Sequence, residues 1–354
     1  MKILHLLDIP WWSGLSAYAF DTLEAHRHLG HQVQLAAQKD SLPYKKGKEL
    51  GWKVFPMGGR HLFASIFNFF KLLFLRERPD LIIIHTGSAH WIGALLSKIW
   101  DIPLIRIRVT SQKLKINWFT LVLYQHCKKI VLASENIRTD CLEQLKNLER
   151  DKCITLYPAV KGQTKNLNHP DAPFKIGMLA RLDPVKGHTY FLKAAKIVQE
   201  RFPNVEFHFA GAEENIIWGD LLKEIHSLNL NYCFYHGFLR ESEVWSYLES
   251  CDIGVLSSIG SEEVSRATLE WMAAGKPVVA TKVGSITELI QDPLGGFLVP
   301  PKDPVSMAQK ILEILDNKNL AKKLGAFNLE ASKKYYSEIS LQQAWDKILS
   351  SIRV

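Results

Sequence analysis

The sequence predicts an α/β protein of two doubly wound domains, each built on a parallel sheet, and three observations carry that reading. Short β-rich apolar runs alternate with amphipathic helical patterns along the whole length, the arrangement that builds parallel sheets. The 354 residues exceed what one ordinary domain holds and suit two, each able to bury its own core. The alternation breaks once, at 158–173, where Lys161-Gly162-Gln163-Thr164, Asn166, Asn168, Pro170 and Asp171 leave few apolar residues and read as a linker. The expected division is an N-terminal domain over 1–160, a linker at about 158–173 and a C-terminal domain over 173–335. A last helical pattern at about 336–354 is placed to fold back on the first domain. Two such domains put a cleft between the carboxyl edges of their sheets, where ligands bind in folds of this class.

In the first half the strand runs are 2–7, 32–37, 81–85, 104–108 and 129–133; in the second they are 175–180, 205–210, 232–236, 253–257 and 277–281. The first run is stopped by Asp8 and precedes no small-residue cleavage site, so it reads as a strand rather than a signal peptide. Helical patterns with clear ends include 13–29, closed by Gly30, and 186–201, closed by Pro203. The segment 61–76 is unusual, with polar residues only at His61, Ser65, Asn68, Lys71 and Arg76 and Leu, Ile or Phe almost everywhere else. It is too short and too interrupted for the ~20 apolar residues that a bilayer crossing needs. Such a helix is buried on most sides or lies against a membrane, and core burial is the expectation for much of it. On the membrane reading, Lys45, Lys46, Lys48, Lys53 and Arg60, which precede it, become contacts to anionic lipid.

Composition removes several classes. Apolar residues make up 47% and charged residues 23%, with 21 Gly and 15 Pro, so disordered and collagen-like chains are excluded. Cys127, Cys141, Cys153, Cys233 and Cys251 are scattered, odd in number and without CxxC spacing, which encodes neither a disulfide framework nor a zinc site. Reduced thiols and a cytoplasmic location are expected, with peripheral contact on the inner face of the membrane if the apolar segment docks there. Charge is distributed unevenly: residues 1–152 hold 22 Lys and Arg against 13 Asp and Glu, and the remainder 22 against 23. The first half therefore suits an anionic partner, a nucleic acid or a membrane surface. No nucleic-acid recognition motif accompanies the charge, and none of the expected interleaving of Arg with aromatics is present.

Two constellations carry chemistry. Arg181-Leu182-Asp183-Pro184-Val185-Lys186-Gly187 follows a buried strand and opens a helix, so Arg181 and Lys186 add two cations to unpaired N–H groups and the positive end of a helix dipole. That is a pyrophosphate site in outline. The second runs from Ser257 to Glu270 through a polar loop into a helix, where Glu262 and Glu270 stand eight apart, near one face. They can address two ends of one ligand, although paired surface carboxylates often only meet solvent.

These residues, with Gly14 after the first strand, Tyr235-His236-Gly237-Phe238, Ala273-Ala274-Gly275-Lys276-Pro277-Val278-Val279, Gly284 and Glu288, resemble the retaining family-4 glycosyltransferases of the GT-B fold, two Rossmann-like domains facing across a cleft. The resemblance covers nearly the whole chain and is closest in its second half. It implies a nucleotide-sugar donor as substrate, no cofactor, no metal, and a glycan or lipid-linked acceptor on the first domain, in cell-envelope polysaccharide or lipopolysaccharide synthesis. Arg181 and Lys186 would hold the diphosphate, and Glu262 would meet the sugar near the reacting carbon. Glu270 would take the ribose hydroxyls, the backbone at Gly237 and Phe238 the base, and the residues after Glu262 (Val264, Ser265, Arg266) the sugar and phosphate. Gly14 would let a loop of the first domain approach the phosphates.

This chain departs from the family pattern in two places. Glu263-Val264-Ser265 replaces the usual Gly-Phe-Gly, followed by Arg266, which bears on the identity of the sugar. Val109, Thr110 and Ser111 stand where members often carry a histidine; His85 and His90, after the preceding strand, are the nearest alternatives on the acceptor side. Competing readings are a sugar-nucleotide epimerase of the same fold and a nucleic-acid-binding protein using the basic half.

Overall fold

The structure, a computed structural model, describes residues 1–59, 62–162, 173–260, 262–352. Arg60 and most of the expected linker lie outside the described residues. The chain forms two compact units, one of residues 1–159 with 338–354, the other of residues 160–337.

The first unit alternates β1 (Lys2–Leu7), α1 (Gly14–His28), β2 (Gln32–Gln38), α2 (Leu42–Glu49), β3 (Lys53–Met57), α3 (Leu62–Leu73) and β4 (Leu81–Ile84). It continues through α4 (His90–Trp100), β5 (Leu104–Arg108), α5 (Trp118–His126), β6 (Lys129–Leu132), α6 (Glu135–Gln144) and β7 (Cys153–Thr155). The seven described strands are parallel in the order β3-β2-β1-β4-β5-β6-β7. From β1 the chain steps one way to β2 and β3, then crosses back and steps the other way. Right-handed crossovers therefore put α1 and α2 on one face and α3 to α6 on the other. Packing agrees with this. A Cβ on Gly47 of α2 would meet Leu35 at 2.9 Å, whereas one on Gly93 of α4 would meet Ile84 at 2.5 Å and Leu6 at 3.2 Å. Leu35 pairs in register with His5, the neighbour of Leu6 on the opposite side of the pleat.

The second unit runs β8 (Lys175–Leu179), α7 (His188–Arg201), β9 (Glu206–Ala210), α8 (Trp218–Ser227), β10 (Cys233–Tyr235), α9 (Glu241–Ser250) and β11 (Ile253–Leu256). There follow α10 (Arg266–Ala273), β12 (Val278–Thr281), α11 (Ile286–Leu289), β13 (Gly296–Val299), α12 (Pro304–Asp316) and α13 (Lys318–Tyr335). Its sheet is parallel in the order β10-β9-β8-β11-β12-β13, so the strand order reverses between β8 and β11. Glycines in the central strands set the position of α10. A Cβ on Gly254 would lie 2.4 Å from Trp271 and one on Gly177 2.7 Å from it, so both strands must lack side chains for the fully buried indole to fit. Docking Trp271 there fixes the helix that carries Glu270.

The last helix, α14 (Glu338–Ile352), belongs to the first unit and packs on α1. Trp345 is fully buried with its ring edge-on to His26 at 4.6 Å, and Gln342 bonds His28 at 3.0 Å.

Three strands escape the sequence pattern, β3, β7 and β13, and all three are sheet edges. β3 is only partly buried and contains Pro56, and β7 is three residues long, so neither shows the apolar run of a central strand. Lys186 also departs from expectation. It stands in a 3-10 turn, Pro184–Lys186, and Gly187 at φ +71° separates it from α7.

Core burial of the 61–76 segment is overturned. Within α3, Ser65 and Asn68 are buried beside Phe69 and Leu72, while Phe63, Ile66, Phe67 and Phe70 face out. Asn68 accepts from the Gly58 N–H at 2.7 Å, which holds the polar stripe inward. The joint lipid patch of Lys45, Lys46 and Lys48 with this segment is overturned too, because α2 and α3 lie on opposite faces of the sheet.

Candidate functional site

The site is built from loops at the carboxyl ends of β8 to β12, and its centre spans the reversal between β8 and β11, where open parallel sheets bind ligands. The loop after β8 is a short, capped turn. Asp183 accepts from the Val185 N–H at 2.9 Å and from the Asn215 side chain at 2.6 Å. The backbone bond, with the Arg181 and Lys186 charges nearby, holds its carboxyl below the usual range. Across the reversal, the Ile259 N–H donates to Val185 O at 2.8 Å and the Ser257 hydroxyl to Lys186 O at 2.9 Å. Gly187 makes this approach feasible, since a Cβ there would sit 2.1 Å from Ser257 O.

The two loops exchange charge. Lys186 Nζ donates to Glu262 Oε1 at 2.6 Å, and the Ser258 hydroxyl donates to the same oxygen. Glu262 is only 6% exposed and Lys186 16%. Its main chain is held from the β12 side: the Ser285 N–H donates to Glu262 O at 2.7 Å, and Gly284 at φ +51° leaves room where a Cβ would lie 2.2 Å from that oxygen. The Ser285 hydroxyl accepts from the Ser265 N–H at 3.1 Å and so ties the start of α10 to the same support. Arg181 is placed differently. It is exposed and pairs with Glu214 of the loop after β9, an exposed pair of the kind worth ~0–1 kcal/mol and readily exchanged for a ligand anion. A buried pair such as Lys186–Glu262 owes its position to the surrounding bonds rather than to its Coulomb energy alone.

A second group of loops lies beside this one. The Gly211 N–H donates to Gly237 O at 2.8 Å, the Tyr235 hydroxyl donates to Gly211 O at 2.8 Å, and Tyr235 stacks on Trp218 at 4.8 Å. Gly237 has φ +66°, and Phe238 after it is 72% exposed. His188, the first residue of α7, is buried, and burial pulls its imidazole down to about 4.

The structure thus brings together Lys186 and Glu262, ties Ser265 to Glu262 through Ser285, and places Arg181, Gly237 and Phe238 on neighbouring loops of one sheet edge. Val264 precedes α10, while Arg266 and Glu270 stand on the helix, each partly exposed. Gly14 belongs to the other unit, opens α1, and has open space where a side chain would be. Lys45 and Lys48 are exposed on α2, with Lys48 over the Tyr44 ring, and Lys46 sits over Trp12 at 4.3 Å. His85 and His90 are buried rather than presented to a ligand. His85 Nε2 bonds His5 at 2.9 Å, whose other nitrogen bonds His26 at 3.2 Å, and His90 Nε2 contacts Cys127 Sγ at 3.4 Å. Burial pulls both down to about 3.

Sequence reasoning gave no part to Ser258, Ser285 or Glu214. The Ser257-Ser258 pair directly after a buried strand was the available signal for the first; backbone contacts such as that of Ser285 leave no side-chain signature. Among the described residues, no group of three or more His, Cys, Asp or Glu is arranged to hold a metal ion.

Comparison with known proteins matches residues 12–161 to the family described as "Glycosyltransferase Family 4" and residues 161–330 to "Glycosyl transferases group 1". An uncharacterized glycosyltransferase of Methanocaldococcus jannaschii, MJ1178, is 26% identical over 287 residues, 78% of this chain and 75% of that protein. Among solved structures, HepE of Anabaena in complex with UDP superposes with a TM-score of 0.84 at 20% identity, over 99% of this chain and 100% of that one. A glycosyltransferase from Rickettsia africae gives 0.87 at 20% identity, over 99% and 98%. Both structural likenesses are likenesses of fold.

Proposed function

Because the chain belongs to the family-4 glycosyltransferases of the GT-B type, we propose that it moves a sugar from a nucleoside-diphosphate donor to a glycan or lipid-linked acceptor of the cell envelope, with retained anomeric configuration and without a metal. The observation that carries this is the Lys186–Glu262 pair, set at the strand-order reversal by Gly187, Ser258, Gly284 and Ser285. Lys186 and Arg181 meet the diphosphate. The two cations, with the N–H groups of the turn before α7, stabilise the charge that gathers on the leaving group as the sugar bond breaks. Lys186 then exchanges part of its bond to Glu262 for phosphate oxygen, which frees the carboxylate to face the sugar. Glu270, one helix turn further in, takes the ribose hydroxyls, and the backbone at Gly237 and Phe238 reads the base. HepE has been solved with UDP-glucose, which makes uridine the first base to try.

The test is calorimetric titration of the full chain with UDP-, GDP- and ADP-sugars, followed by product analysis in EDTA. Binding of one donor, loss of about 10² in kcat/KM in Lys186→Ala, and a larger effect of Glu262→Gln on kcat than on donor affinity are expected. Wild-type kinetics in both variants, or turnover that requires added Mg²⁺, would refute the proposed clamp. Formation of an epimeric nucleotide sugar from the donor with no acceptor present would make the protein an epimerase instead.

A further inference from the structure

Three neighbouring helices on one face of the first unit turn apolar side chains to solvent. On α3 they are Phe63, Phe67 and Phe70, with Phe74 just beyond, and the helix packs on α4 through Phe69 against Trp91. On α4, Leu95 and Ile99 are exposed one turn apart, with Lys98 between them. On α5, which packs on α4, Tyr124 is the one fully buried side chain, while Trp118 is 75% exposed and Phe119 and Val122 are exposed beside it. Scattered apolar residues on a surface need no explanation, but large apolar side chains exposed on each of three adjoining helices do.

The charge around this face is mostly positive. Residues 50–134, which contain all three helices and their flanking loops, hold twelve Lys and Arg against three carboxylates, the exposed Glu77, Asp80 and Asp101. The cations include Lys71, Lys98, Lys113, Lys115 and Lys128, all exposed. Each helix is too short to cross a bilayer, and no helix among the described residues is long and apolar enough to do so. An apolar face rich in Phe and Trp and edged mainly by lysines fits the boundary between lipid headgroups and acyl chains.

We propose that the outer face of α3, α4 and α5 docks on an anionic bilayer, seating the phenylalanines and Trp118 at the acyl boundary and the lysines among the headgroups. The orientation of α3 accounts for its inverted pattern: Ser65 is buried and Asn68 bonds inward to Gly58, so that the phenylalanines can face lipid. The docking does not depend on the donor chemistry above, and its test needs no turnover.

The experiment is co-sedimentation of the full chain with vesicles of phosphatidylcholine alone and with added phosphatidylglycerol. Binding should be about tenfold or more tighter to the anionic vesicles and should weaken as salt rises. Phe67→Ser with Trp118→Ser should weaken it by a similar factor, with the melting temperature unchanged because both side chains are exposed. Lys98→Glu with Lys115→Glu should also weaken it, whereas Lys45→Glu with Lys48→Glu, the same change in net charge on the opposite face, should leave it near wild type. Equal losses in both lysine pairs would mean that net charge alone drives binding and would overturn the proposal. So would absence of vesicle binding, or a dimer seen by light scattering that the apolar substitutions abolish while vesicle binding stays intact.

Discussion

Gly284 has no side chain, and the position of Glu262 depends on that. Its φ of +51° and the 2.2 Å gap to Glu262 O exclude any Cβ without a backbone shift. Gly284→Ala should therefore push the 262 segment away from β12, lengthen the Lys186–Glu262 contact, and lower kcat/KM by about tenfold or more while the protein stays folded. Steady-state kinetics with a crystal structure of the variant checks this; an unchanged carboxylate position with normal turnover would sink it. At this scale the sequence was readable where a charged residue follows a buried strand in a polar loop, as Lys186 and Glu262 do. It was unreadable where support comes from a carbonyl or an amide. The pattern around Ser285 does not reveal that its N–H holds Glu262 and its hydroxyl holds Ser265.

Among the elements, α14 makes the sharpest claim, since it follows the second unit in the chain but packs in the first. Removing the fully buried indole of Trp345 leaves a cavity against α1 and His26, so Trp345→Ala should cost about 3–5 kcal/mol of the first unit's stability. Native-state hydrogen exchange locates the effect: amides of α1, β1 and β2 should lose protection, and those of α12 and α13 should not. Loss confined to α12 and α13 would assign the helix to the other unit. The central strands were legible from their apolar runs because both of their faces are covered. Of the edge strands β10 was legible, whereas β3, half-buried and interrupted by Pro56, β7, three residues long, and β13, four residues opening on a glycine, were not. Periodicity also finds the stripe on α3 without saying which side of it faces the core, so its phenylalanines read as core.

Across the whole molecule, buried histidines couple stability to acid. His5, His26, His85 and His90 are all buried in the first unit with their pKa values lowered, His85 and His90 to about 3, mainly by burial. Unfolded, each binds a proton near pH ~6.5. Above that value both states are neutral and these groups leave stability unchanged; below it the unfolded chain binds more protons. Stability therefore falls as pH drops from about 6.5 towards about 3, by about 1.4 kcal/mol per pH unit for each such histidine. Urea unfolding of the first unit should show its midpoint falling between about pH 7 and pH 5, less steeply in His85→Gln, which removes one titrating ring. A midpoint indifferent to pH over that range would show that these rings are hydrated in the native state.

The return of α14 to the first unit also sets an order of events on the ribosome. His28 and Gln342, bonded in the folded protein, are 314 positions apart in the chain. At about 5–20 residues per second, α1 emerges roughly 15–60 s before the helix that covers it. The second unit, contiguous from 160 to 337, has no such wait. The later-made unit can thus finish first, while the earlier one keeps His26 and the surrounding apolar side chains uncovered throughout the interval, open to chaperones or to a neighbouring nascent chain.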